Sequence, residues 1–239
     1  MTRYSLVYAA MMVLAAESAA AQQADVRARL SARNVDASLA DAVAAVAADA
    51  AGQNLPTAPL VDKTLEGWAK HAPPDRILAA VRQSVTRMAE ARQAALSAGM
   101  TQPPPDVVAA GAEALGRGMR SDQITSIVRA DDHASTAVGL RVASALAAQG
   151  MAMNDAVAVV TRSMRARQRP REILDLPSTM RALQAQGMSA PDIGRHFLRD
   201  GDEGGDRPVS GQPLPPGGTG VRPPREGPSP EGHDRHHHN

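Results

Sequence analysis

The sequence predicts an all-α protein, and three observations carry that prediction. Alanine supplies 47 of the 239 residues while Phe, Tyr and Trp together supply four, a balance that suits closely packed helices and starves β-sandwiches and barrels of strand-forming aromatics. Apolar residues recur at helical spacing from Asp25 to Asp200, and Gly or Pro punctuates the runs every few turns. No stretch reads as a strand.

Ten helices follow in order. Asp25–Asn34 is short and amphipathic, and Ala37–Ala51 is alanine-rich with Asp36 placed to cap it. Pro56–His71 begins with prolines in its first turn, and its stripe Val61, Leu65, Trp68 predicts a buried indole. Pro74–Ala98 is the longest, about 37 Å at 1.5 Å per residue, with Ile77, Val81, Val85 and Met88 on one face. Pro105–Arg117, Asp122–Ala130, Ala134–Gln149 and Asp155–Gln168 come next. Arg171–Gln186 is expected to break or bend near Pro177, and Pro191–Asp200 closes the series.

Four joints share one form, an alanine-leucine helix end followed by Gly-Met: Gly99-Met100, Gly118-Met119, Gly150-Met151 and Gly187-Met188. This is the signature of a helix closed by a left-handed glycine, with a methionine folding back on the last turn. Leu146 and Leu183 fall where that contact is expected, whereas Leu96 and Leu115 stand one position off. Ser121, Asn154 and Ser189 are candidate caps for the helices that follow, with Asp192 completing a Ser-x-x-Asp box. The glycines are 19, 32 and 37 residues apart, not a fixed period. An irregular helical bundle and degenerate helical hairpins therefore both fit.

Composition divides the chain in three. Arg3 precedes an apolar run from Ser5 to Ala16, and Ala19-Ala20-Ala21 supplies an A-x-A site, so residues 1–21 read as a signal peptide and Gln22 as the mature start. The run is too short to span a bilayer, which needs roughly 20 apolar residues, and no transmembrane segment is expected after cleavage. Residues 22–200 form the all-α domain, expected in the periplasm or secreted. Residues 201–239, with 17 Gly or Pro among 39, read as a disordered tail ending in histidines. With no cysteine, neither a disulfide framework nor a lipidated cysteine is available.

The net charge is +1, divided as +3 over residues 22–200 and −2 over the tail, so no nucleic-acid partner is expected. Arginine outnumbers lysine 24 to 2, which reads as the coding bias of a GC-rich genome. The densest run comprises Arg162, Arg165, Arg167, Arg169 and Arg171. Arg162, Arg165 and Arg169 are expected to share one helical face, as a patch for an anionic partner or as a solvated helix end complementing the dipole.

Nucleophilic cysteine chemistry is impossible, and no Gly-x-Ser-x-Gly elbow, Walker loop or His-Glu-x-x-His occurs. His71, His133 and His196 are isolated, and in Asp131-Asp132-His133 a capping role for Asp132 is the simpler reading. His233, His236, His237 and His238 cluster at the end of the tail, where imidazoles on a pliable chain bind Zn²⁺, Ni²⁺ or Cu²⁺ weakly.

One segment carries a resemblance. In GQNLPTAPLVDKTLEGWAKHAPPDRILAAV, residues Pro59, Leu60, Lys63, Glu66, Gly67, Ala69 and Lys70, then Pro73, Pro74, Arg76 and Ile77, fit a P-L-x-x-K-x-x-E-G-x-A-K pattern followed by P-P-x-R-I. It resembles a segment of uncharacterised secreted bacterial α-helical proteins. The resemblance covers about 30 residues, from Gly52 to Val81, implies export and helicity, and brings no site with it. The expectation for function is a non-enzymatic exported helical module that holds a protein or envelope component. The alternatives are a periplasmic metal-binding or metal-buffering protein using the terminal histidines, and an enzyme with a dispersed site.

Overall fold

Proline opens several helices and a left-handed residue closes most of them, in a computed structural model that describes residues 21–130 and 135–199. Among the described residues there are ten helices and no strand. They are α1 (21–31), α2 (Ala37–Gly52), α3 (Ala58–Ala69), α4 (Pro74–Ser97), α5 (Pro105–Gly116), α6 (Ser121–Val128), α7 (Thr136–Ala148), α8 (Met153–Arg165), α9 (Pro170–Ala185) and α10 (Ala190–Arg199). No helix among them is long and apolar enough to cross a membrane. Of residues 1–21, expected to be a signal peptide, all but Ala21 lie outside the described residues, as do Asp131-Asp132-His133 and the tail with its histidines.

One joint recurs eight times. Asn34, Asn54, His71, Gly99, Gly118, Gly150, Arg167 and Gly187 all have positive φ, between 54° and 110°. In each case the next residue donates its N–H back to the helix carbonyl five positions earlier, as in Met151 to Leu146 at 3.2 Å and Leu55 to Ala50 at 3.0 Å. That is the Schellman closure, which satisfies carbonyls the helix end would otherwise leave bare. All four Gly-Met joints have it. The offset of Leu96 and Leu115 is immaterial, because Ala95 and Ala114 occupy the bonded position and both are fully buried.

The predicted caps fare unequally. Asp36 Oδ1 accepts the Leu39 N–H at 3.1 Å, and Ser189 Oγ accepts that of Asp192 at 3.4 Å. Ser121 and Asn154 do not cap. Each sits inside the first turn of its helix, and Ser121 Oγ donates to Glu90 on α4, while Asn154 Oδ1 accepts from Gln123 Nε2 on α6 at 2.7 Å. Arg129 Nη2 likewise reaches the Ser97 carbonyl at 3.1 Å, and Gln184 Nε2 the Gln149 carbonyl at 2.9 Å. These bonds bridge residues 31 to 35 apart and act as rungs between successive hairpins.

Helix packing follows chain order. Each of α2 to α10 packs mainly on helices one or two places along the chain, so α2, α4, α6, α8 and α10 form one row, and α5, α7 and α9 another. This is the neighbour pattern of stacked helical hairpins with uneven spacing. Pro177 neither breaks α9 nor ends it: the helix runs on from Pro170 to Ala185, with Ile173 and Met180 buried on its inner side. Trp68 is half-buried against the core, because the Val61 face turns inward and the indole lies at the helix edge.

The buried apolar residues form two clusters. One runs from Val26 to Met88 and includes Val108; the other runs from Ala91 to Ile193. Their boundary passes through α4, between Met88 and Ala91, and through α5, between Val107 and Val108. α3 belongs to the first cluster and does not pack along α5 in the way that α5 packs along α7. An opening is left in the second row at that point.

A candidate binding groove

The opening is a groove of about 660 Å³ with contributions from four helices. α4 lines it with Ser84, Arg87 and the edge of Met88, where the two clusters meet. Asp62, Lys63 and Glu66 come from α3, Glu113 and Gly116 from α5 with Arg117 at its end, and Arg141 from α7. The residues of α3 and α5 recur every three or four positions, so each helix turns one polar stripe to the same opening.

The charges in the groove fall into two kinds. Glu66 accepts from Lys70 Nζ at 2.5 Å and from Lys63 Nζ at 2.9 Å, and these two hydrogen bonds, that of Lys70 foremost, lower its pKa to about 2. Arg87, Arg117 and Arg141, with Asp62 and Glu113, make no hydrogen bond or ion pair through their side chains to any described residue. Glu113 and Arg117 even stand at the i, i+4 spacing that ordinarily pairs on a helix, and stay apart. Elsewhere arginines do pair: Arg27 with Asp41 at 2.5 Å, Arg120 with Asp122 at 2.9 Å, and Arg195 with Asp192.

Gly116 has a specific part in this. It closes α5 without a positive φ, so backbone conformation does not demand glycine there. A methyl group at this position would lie 3.0 Å from Arg87 Nη1. The missing side chain is the notch in which the guanidinium rests.

The expected arginine patch is rearranged. α8 ends at Arg165, Arg167 takes the left-handed joint at φ 54°, and Arg169 precedes α9, its N–H donating to Glu172 Oε2 at 3.2 Å. Arg162, Arg165 and Arg169 therefore do not share one helical face, because the turn between α8 and α9 separates the third from the others. Arg165 and Arg169 are exposed and Arg162 is half-buried with a partner. His71 is exposed at the joint after α3, and the His196 ring lies 6.2 Å from that of Phe197 on α10. Among the described residues no three His, Cys, Asp or Glu side chains come together to hold a metal ion. His233, His236, His237 and His238 lie outside the described residues.

No family model, curated protein or solved structure matches the chain. Arg87, Arg117 and Arg141 carry no signal in the sequence: they are tens of residues apart, and only the stacking of hairpins brings them to one opening.

Proposed function

We propose that the protein is an exported, non-enzymatic helical interaction module that holds a protein or envelope component in the groove framed by α3, α4, α5 and α7. The observation that carries this reading is the gap between α3 and α5, where unpaired charges converge on an open surface. Stacked hairpins present extended binding surfaces of this kind. Met88, buried at the edge of the groove, supplies a pliable side chain that repacks when a partner binds.

A photo-crosslinking residue at Ala58, in the groove, and one at Ala45, exposed on α2, test the reading in the full chain. A discrete adduct from position 58 in the producing cell, absent from position 45, is the expected result. Equal labelling from both positions, or none from either, overturns it. A second reading rests on the histidine cluster, a metal-buffering tail. It requires Zn²⁺ or Ni²⁺ binding tighter than about micromolar that disappears when residues 201–239 are removed, and fades below about pH 6.5 as imidazoles protonate.

A further inference from the structure

The geometry points to the chemical class of ligand: we propose that the groove binds an extended peptide segment bearing spaced carboxylates, anchored by Arg87, Arg117 and Arg141. This rests on the interaction-module reading and names the chemistry that reading leaves open. Three guanidinium groups from three different elements line one opening and have no partner among the described residues, although Asp62 and Glu113 line it too. Each guanidinium is a planar fork whose N–H groups match a carboxylate with two parallel bonds. The notch at Gly116 holds one of them against α5.

Asp62 and Glu113 decide between kinds of anion. A dense polyanion, such as a polyphosphate chain or a nucleic acid, would set its own charges against these two carboxylates. An extended peptide with acidic residues at alternate positions turns its carboxylates to one face and keeps them spaced apart. Its backbone N–H groups are left to donate to Asp62 and Glu113. A volume of about 660 Å³ admits several residues of extended chain.

The test uses the full-length protein and a fluorescein-labelled peptide of alternating Glu and Gly, followed by fluorescence anisotropy. The same peptide with Gln for Glu is the first control, and inorganic tripolyphosphate is the competitor. Binding of the Glu peptide is expected, with no measurable binding of the Gln peptide and poor displacement by tripolyphosphate. Arg87→Gln with Arg141→Gln should weaken it by about tenfold or more, on the scale of losing charge-assisted hydrogen bonds. Arg82→Gln with Arg165→Gln, both exposed and outside the groove, should leave it unchanged.

Gly116→Ala is a second route to the same answer. It favours the helix yet sets a methyl 3.0 Å from Arg87 Nη1, so the guanidinium must shift by about a few tenths of an ångström from its notch, and affinity should fall modestly while melting temperature holds or rises. Equal binding of the Gln peptide, displacement by tripolyphosphate at matched concentration, or full binding by the arginine variants would each overturn the proposal. If no acidic peptide binds while position 58 still crosslinks a partner, the ligand class is wrong and the interaction module stands. Loss of both removes both.

Discussion

From Val26 to Met88 the buried apolar side chains are Val, Leu, Ile and Ala with a single methionine, and the helices close on Asn34, Asn54 and His71. From Ala91 to Ile193 five methionines are buried, and of the five left-handed joints four use glycine and one Arg167. The backbone geometry of the joint is nevertheless the same in both regions. A left-handed residue and the hydrogen bond behind it are what the fold demands, and glycine and asparagine are two ways of meeting that demand. The regions share α4 and α5, so the groove between them lies where two differently composed cores are joined by common helices.

The largest expected effect tests whether those regions unfold together. Leu60 is fully buried in the first cluster, and Leu60→Ala should destabilise it by about 2 to 5 kcal/mol. Trp68, the only tryptophan, packs against that same cluster, so its fluorescence reports on the first region alone. In a stack whose helices touch mainly near neighbours, the first region should melt ahead of the second. The fluorescence transition of the variant should precede the loss of far-ultraviolet ellipticity. Coincident transitions would show that α4 and α5 couple the two clusters into one cooperative unit.

A smaller effect separates the two kinds of joint. Gly150→Val places a branched Cβ at φ 98°, and should lower stability by about 1 to 2 kcal/mol. Arg167→Gly relieves the left-handed penalty but adds chain entropy to the unfolded state, so a gain of about 0.5 kcal/mol is expected. Asn54→Gly should change stability by only a few tenths of a kcal/mol, since asparagine tolerates this conformation. Urea midpoints of the three variants check the order. A neutral Gly150→Val would mean that the joint relaxes to another closure.

Much of this was legible in the sequence, and the rest was hidden for identifiable reasons. All ten helices and the four Gly-Met joints show in periodicity and punctuation, because those signals are local. His71 and Arg167 escape notice, since nothing in their identity separates a left-handed joint from an ordinary polar helix end, and Asn34 and Asn54 carry only the weak preference of asparagine for that conformation. Ser121 and Asn154 look like caps because capping is the local use of such residues. They serve as rungs because hairpin stacking brings a partner within reach from about 31 residues away. The same non-local step hides the groove. A run of arginines in sequence is conspicuous and is split by a turn, whereas Arg87, Arg117 and Arg141 are inconspicuous and converge.

The smallest effect concerns charge, where a glutamate bracketed by two lysines distinguishes the first region. The only lysines in the chain, Lys63 and Lys70, flank Glu66 in the first region, whereas arginine–aspartate pairs occur in both, at Arg27–Asp41 in the first and at Arg120–Asp122 and Arg195–Asp192 in the second. Hydrogen bonds from Lys70 and then Lys63 hold the Glu66 carboxyl at about 2, below its ordinary 4.5. A folded pKa below the unfolded one means that the native state binds this proton less readily. The resulting stability is present above about pH 4.5 and is lost as pH falls through about 2. Glu66 is 46% exposed, so water and salt screen most of that shift. Helix-surface pairs of this spacing contribute about 0.3 to 0.5 kcal/mol each, and two of them set a ceiling near 1 kcal/mol. Parent and Glu66→Gln should therefore differ in urea stability by less than about 1 kcal/mol near neutral pH, and the gap should close near pH 2. It should also shrink in about 1 M salt, where the Debye length is near 3 Å. A gap that persists in acid would assign the effect to packing of the glutamate stem, and the lysine bracket would then contribute nothing to the first region.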